Sequence, residues 1–179
     1  MRQSRHLTPG SARVIVCPGG GFGAYTVRDQ LSPSRAILYG TLAVGVLDIL
    51  HAFVVWGLRG IPPVRILQSI AAGLLGRSAY DGGAPTAVLG AAFHFFIAFS
   101  VVCVYHLASR RLPALTRKWL PCGLLYGVLV YFFMNQVVIP LSALGRPKRF
   151  SLALFLNGVI GHALLVGLPA ALSARSTRR

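Results

Sequence analysis

The chain has 179 residues, of which 55% are hydrophobic and 12% charged, with a mean hydropathy of +0.67. A soluble domain carries about a quarter charged residues, so this composition excludes a soluble globular domain and gives an integral membrane protein. The net charge of +15 would suggest nucleic acid in a soluble protein. Here, however, the basic residues lie between and outside the apolar runs, where they set topology and meet anionic headgroups.

Residues 1–34 are rich in Arg, Gly, Ser and Pro and read as a flexible basic tail. Within them Val14–Gly23 resembles a strand entering a glycine loop. It lacks the following helix and the Lys-Ser/Thr pair of a phosphate loop, and no GxSxG elbow follows to complete an esterase site. The four-residue run Val14–Cys17 is too short for a signal-peptide core.

Four apolar stretches follow, at about 36–58, 85–108, 119–144 and 151–172. Each meets the ~20 residues needed to cross a bilayer. The expected fold is all-α: a polytopic four-helix transmembrane bundle over 35–174, with a basic tail at 175–179. Between the first two spans, Pro63–Leu75 is punctuated by proline at its start and Gly76 at its end. About 12 residues cannot span, so this segment is expected to be a short interfacial or re-entrant helix. Tyr39, Trp56, Tyr105 and Trp119 near span ends fit an aromatic belt.

Twelve of the 18 Lys and Arg residues fall on the side of both termini and six on the other. The positive-inside rule then places both termini in the cytoplasm of a bacterial inner membrane. The three cysteines, Cys17, Cys103 and Cys122, have no CxxC spacing and read as small buried residues.

Polar groups near the middle of a span are costly in hydrocarbon and mark candidate sites. They are Asp48 and His51 in the first span, His94 in the second, Asn135 and Gln136 in the third, and Asn157 and His162 in the fourth. Asp48 and His51 are three residues apart and share a helix face. Thr41, Gly45, Asp48 and Ala52 form a small-residue stripe, as do Ala87, Gly90, Ala91, His94 and Ala98. Such stripes admit close helix approach and face the bundle. Phe95, Phe96 and Phe99 are expected to face lipid. In the third span Gly123-xxx-Gly127 continues through Tyr131 to Asn135, and Pro140 deprives the Gln136 carbonyl of its donor. Asn157 and His162 are five residues apart and cannot both face one centre; His162 is the inward candidate.

One reading is a midplane site of Asp48, His51, His94, Asn135, Gln136 and His162 that binds or relays a proton or small solute. The other is a structural or assembly protein whose polar side chains only fix helix register. A metal- or haem-binding redox subunit is a third, with His and Asp as suitable ligand types. It lacks HxxxH or HxxH spacing, and no cofactor is expected. Enzyme activity is not expected either: Ser100 and Ser142 have no nucleophile-elbow context, and there is no HExxH. The expected partners are the lipid bilayer and, for a permeation role, further copies of the chain; no nucleic acid is expected and the solute is open.

The runs Pro63–Gly76, His94–Phe99 and Met134–Ser142 resemble those of small four-span membrane proteins of bacteria, over about residues 36–173. The His-led second span and the Gly161-His162 pair are similar to those of the YagU-type inner-membrane proteins, whose extracytoplasmic loop and third span differ. The resemblance implies location and topology and no particular activity.

Overall fold

The computed structural model describes residues 15–16, 22–23, 31–145 and 151–177. Most of the tail, with its flexible reading, and the basic loop 146–150 lie outside the described residues, as does Cys17. Ile15–Val16 and Phe22–Gly23 pair as a two-residue antiparallel ladder. Everything else of regular structure is helical. In chain order the helices are α1 (Pro33–Gly57), α2 (Pro63–Leu75), α3 (Gly83–Arg111), α4 (Ala114–Arg117), α5 (Trp119–Leu141) and α6 (Leu152–Arg175). Four of them, α1, α3, α5 and α6, are long and apolar enough to cross a membrane. The protein is an all-α, multi-pass membrane bundle.

The helix ends explain where the apolar runs mislead. Helices α3 and α6 continue to Arg111 and Arg175, because the backbone stays helical after hydrophobicity stops. Helix α5 ends at Leu141, three residues before the expected boundary. There Ser142 turns extended, its hydroxyl donates to the Ile139 carbonyl at 2.7 Å, and the Ala143 N–H donates to the Gly73 carbonyl of α2 at 2.8 Å. The chain leaves the helix to close against α2.

Helix α2 packs on the first turns of α3. Gln68, buried, donates to the Gly83 carbonyl at 3.0 Å and to Thr86 Oγ1 at 3.4 Å, and Thr86 Oγ1 donates to the Ala79 carbonyl at 2.7 Å. Gln68 therefore interrupts the apolar face of α2 in order to lock the α2–α3 hairpin. Gly90 makes the approach feasible, since a Cβ there would overlap the Leu67 carbonyl oxygen. Thr86→Val removes one hydroxyl from this network and is expected to cost about 1 kcal/mol. Chemical unfolding in detergent measures it, and an unchanged midpoint would show that the lock is idle.

Helix α6 is central, packing on α1, α3 and α5. Its tightest contact is with α5. A Cβ at Gly127 would fall on the His162 carbonyl oxygen, and one at Gly167 on that of Gly123, so the two backbones touch. The larger core cluster lies toward the start of α1 and the end of α6: Val44 from α1, Ala98, Val102 and Tyr105 from α3, and Val166, Ala170, Ala171 and Ala174 from α6. Small residues dominate because packing, rather than expulsion of water, holds helices together in lipid. Tyr126 Oη donates to the Val101 carbonyl at 2.7 Å and Tyr105 Oη to that of Leu115 at 2.9 Å. These bonds tie α5 and the α3–α4 turn to the core.

Both α5 and α6 contain a wide π-helical turn, at Met134–Val138 and His162–Gly167. Each precedes a proline, Pro140 or Pro169, that cannot supply the next helical N–H. At the two ends of the bundle, arginines sit over aromatic rings: Arg59 over Trp56 and Arg65 over Tyr80 at one, Arg175 over Trp119 at the other. This is the pattern of side chains anchored at an interface.

Candidate functional site

The chain's single acid within a span, Asp48, lies on α1 one turn before His51, and both side chains are half-buried. His51 reaches across to α6. A Cβ on Gly161 would lie 2.6 Å from His51 Cε1 and 3.2 Å from Nε2, so the Cε1 edge of the ring occupies the space left by the missing side chain. The neighbouring residue, His162, lies within electrostatic range of both Asp48 and His51. Tyr131 of α5 closes the group, meeting the His162 ring edge-on at 5.3 Å between centroids and covering Gly158. Three helices thus bring together one carboxylate, two imidazoles and a phenol.

The hydrogen bonds specify which nitrogens are free. His162 Nδ1 lies 3.0 Å from the Gly158 carbonyl. A carbonyl only accepts, so Nδ1 carries the proton and Nε2 keeps its lone pair in the neutral ring. Among the described residues neither Asp48 nor His51 makes a hydrogen bond or ion pair. The site therefore holds a carboxylate, a whole imidazole and one further ring nitrogen with unused capacity, in surroundings where unused capacity is costly.

The other polar residues are spent elsewhere. His94 Nε2 donates to the Gly45 carbonyl of α1 at 2.8 Å, an interhelical bond that fixes α3 against α1. Asn135 donates to the Tyr131 carbonyl of its own helix at 2.9 Å. Gln136 is exposed on the outside of the bundle, as is Asn157. The six-residue midplane layer thus resolves into Asp48, His51 and His162 as a group, with His94, Asn135 and Gln136 outside it. Among the described residues no three His, Cys, Asp or Glu side chains converge as a metal site would require.

Phe95 also departs from expectation. Its ring fills the space over Gly45, where a Cβ would lie 2.5 Å from Cε1, and it meets His94 edge-on at 5.6 Å. The missing side chain at Gly45 draws the phenyl inward, while Phe96 and Phe99 stay exposed.

One inward polar position, His106, escaped the sequence reading. His106 is only 6% exposed, and its Nε2 donates to Ser173 Oγ at 3.1 Å, since the Ser173 hydroxyl proton goes to the Ala170 carbonyl. It stands one turn from the basic end of α3, where an imidazole reads as interfacial. Thr41, on the stripe expected to face the bundle, is buried, and among the described residues its Oγ1 has no hydrogen-bond partner.

No protein-family model matches the chain, and no curated protein or solved structure does so either. Its own residues therefore carry the assignment, and they give a multi-pass membrane bundle with an ionisable cluster between α1, α5 and α6.

Proposed function

We propose that this is a bacterial inner-membrane protein, with both termini in the cytoplasm, whose Asp48–His51–His162 cluster takes up and passes on a proton. One observation carries the reading. The chain's single acid within a span stands in electrostatic range of His162, and neither it nor His51 makes a hydrogen bond or ion pair among the described residues. Groups that served only to fix helix register would be saturated by carbonyls, as His94 and Asn135 are. A carboxylate and two imidazoles within one another's range supply both acceptors and donors between which a proton can pass.

Proton flux in liposomes tests this. The parent protein is expected to dissipate an imposed pH gradient, and Asp48→Asn to slow it by roughly an order of magnitude or more. His94→Ala is expected to weaken folding and leave the rate per folded molecule unchanged. A parent protein without flux sinks the relay. The competing reading, a structural protein whose polar groups only hold helices together, draws support from the His94–Gly45 bond and would then stand. Four helices make a thin wall around a pathway, so the relay also requires an oligomer. Mass measurement in mild detergent is expected to show at least a dimer, and a strict monomer would count against permeation.

A further inference from the structure

The inward stripe of α1 carries two polar side chains, and an aromatic ring of α3 lies between them. Thr41, Gly45 and Asp48 share one helix face, being four and three residues apart. Seven residues of helix separate Thr41 from Asp48, about 10 Å along the axis. Between them stands buried Gly45, and the Phe95 ring fills the space of its missing side chain, 2.5 Å from the position of a Cβ. Lipid would accept this ring as readily as it accepts the exposed rings of Phe96 and Phe99. Its inward seat is therefore not a refuge from water.

The Thr41 hydroxyl breaks the habit of its neighbours. Hydroxyls in these helices give their proton to a carbonyl three or four residues back, as Ser100, Ser109 and Ser173 do. Thr41 is only 8% exposed, and among the described residues its Oγ1 is the one buried side-chain oxygen or nitrogen without a hydrogen-bond partner. Leaving it unpaired costs free energy, and valine would fill the same space without that cost. Further polar groups follow toward the start of α1. Ser173 Oγ occupies the space over Gly40, next to Thr41, and accepts from His106 Nε2 at 3.1 Å.

We infer that Asp48 exchanges its proton along this stripe toward the start of α1, with the Thr41 hydroxyl as carrier and the Phe95 ring as the barrier between the two. The inference rests on the proton reading of the cluster and adds a route and a gate to it. An apolar constriction keeps water out, and a charge does not cross it unsolvated. The Phe95 side chain is half-buried, so the ring has lipid to turn into. The space it leaves has polar walls in Thr41 Oγ1 and the Asp48 carboxylate, as an internal water requires. Water there gives a proton to the carboxylate and takes one from Thr41 Oγ1. That oxygen recovers a proton from the Ser173–His106 pair, which draws on the aqueous phase. Asp48 gains one proton, and every other group ends as it began.

Proton flux through the full chain in liposomes tests this, with rates taken per folded molecule. Phe95→Ala is expected to raise the flux several-fold. Phe95→Leu leaves a smaller cavity and burdens the fold less; it is expected to give a smaller rise. Adding Thr41→Val to either variant returns the rate to the parent value or below, while the unfolding midpoint holds or increases because an unpaired hydroxyl has gone. Adding Thr41→Ser instead keeps the rise, and adding Asp48→Asn abolishes it. The inference is overturned if both Phe95 variants run at the parent rate, or if Thr41→Val leaves the raised flux intact. It is equally overturned if the raised flux survives Asp48→Asn, which would make it a leak past the bundle. A parent flux that needs Asp48 and ignores Phe95 removes this inference alone. No flux in the parent or in either Phe95 variant removes the proton reading with it.

Discussion

Gly127→Val is expected to unseat α5 from α6 and to be the most damaging single substitution in the transmembrane bundle. The His162 carbonyl oxygen occupies the position that a Cβ would take, and the Ala163 Cα lies only 2.6 Å from that position. These are backbone atoms, which cannot rotate away as a side-chain tip can. Relief requires the helices to part, and parting empties the reciprocal contact at Gly167 and Gly123. Overpacking of a tight core costs about 1–3 kcal/mol, and more when backbone must move; the upper part of that range is expected here. Gly57 supplies the control, because a Cβ there meets nothing within 4 Å, so Gly57→Ala should be close to neutral. Unfolding by increasing SDS in mixed micelles measures both. Equal midpoints for Gly127→Val and the parent would mean that α5 and α6 are not in backbone contact in the membrane.

Asp48→Leu is expected to do the opposite, raising stability while abolishing proton flux. An aspartate near a helix centre costs about 2.5–3.5 kcal/mol on an insertion scale, and Asp48 recovers none of this through a hydrogen bond or ion pair among the described residues. Leucine removes the cost, so a gain of about 2 kcal/mol is expected after imperfect packing is allowed for. The sign separates the two readings of the cluster. If Asp48 were structural glue, its loss would leave partners unsatisfied and destabilise the fold by several kcal/mol. A drop in stability for Asp48→Leu would therefore place the carboxylate among the structural bonds and end its candidacy as a proton carrier.

How much of this was legible in the residues follows from the range of the forces involved. Four runs of apolar residues give four membrane helices because the cost of burying a charge in lipid acts residue by residue. The Asp48–His51 adjacency is equally local, set by the pitch of one helix. Its partnership with His162 depends on how α6 is rotated about its axis, and that rotation is fixed by Gly127, Gly158 and Gly161 meeting side chains and backbone of other helices. No periodicity within α6 contains that information. Gln136 and Asn135 show the same limit from the other side. Both look central by hydropathy, yet the wide turn that carries them changes the face each presents. His106 was hidden by the reverse error: its nearness to Arg110 and Arg111 suggested an exposed helix end, whereas the ends of α4 and α6 cover it.

The π-helical turn at His162–Gly167 also bears on how the imidazole can be aimed. Such a turn holds one surplus residue relative to the α-helix around it. Moving that surplus one turn toward Leu152 would rotate His162 by roughly 100° about the axis, the angle of a single residue, while Pro169 and the end of the helix stay still. The position of this backbone defect therefore sets which way the His162 ring faces.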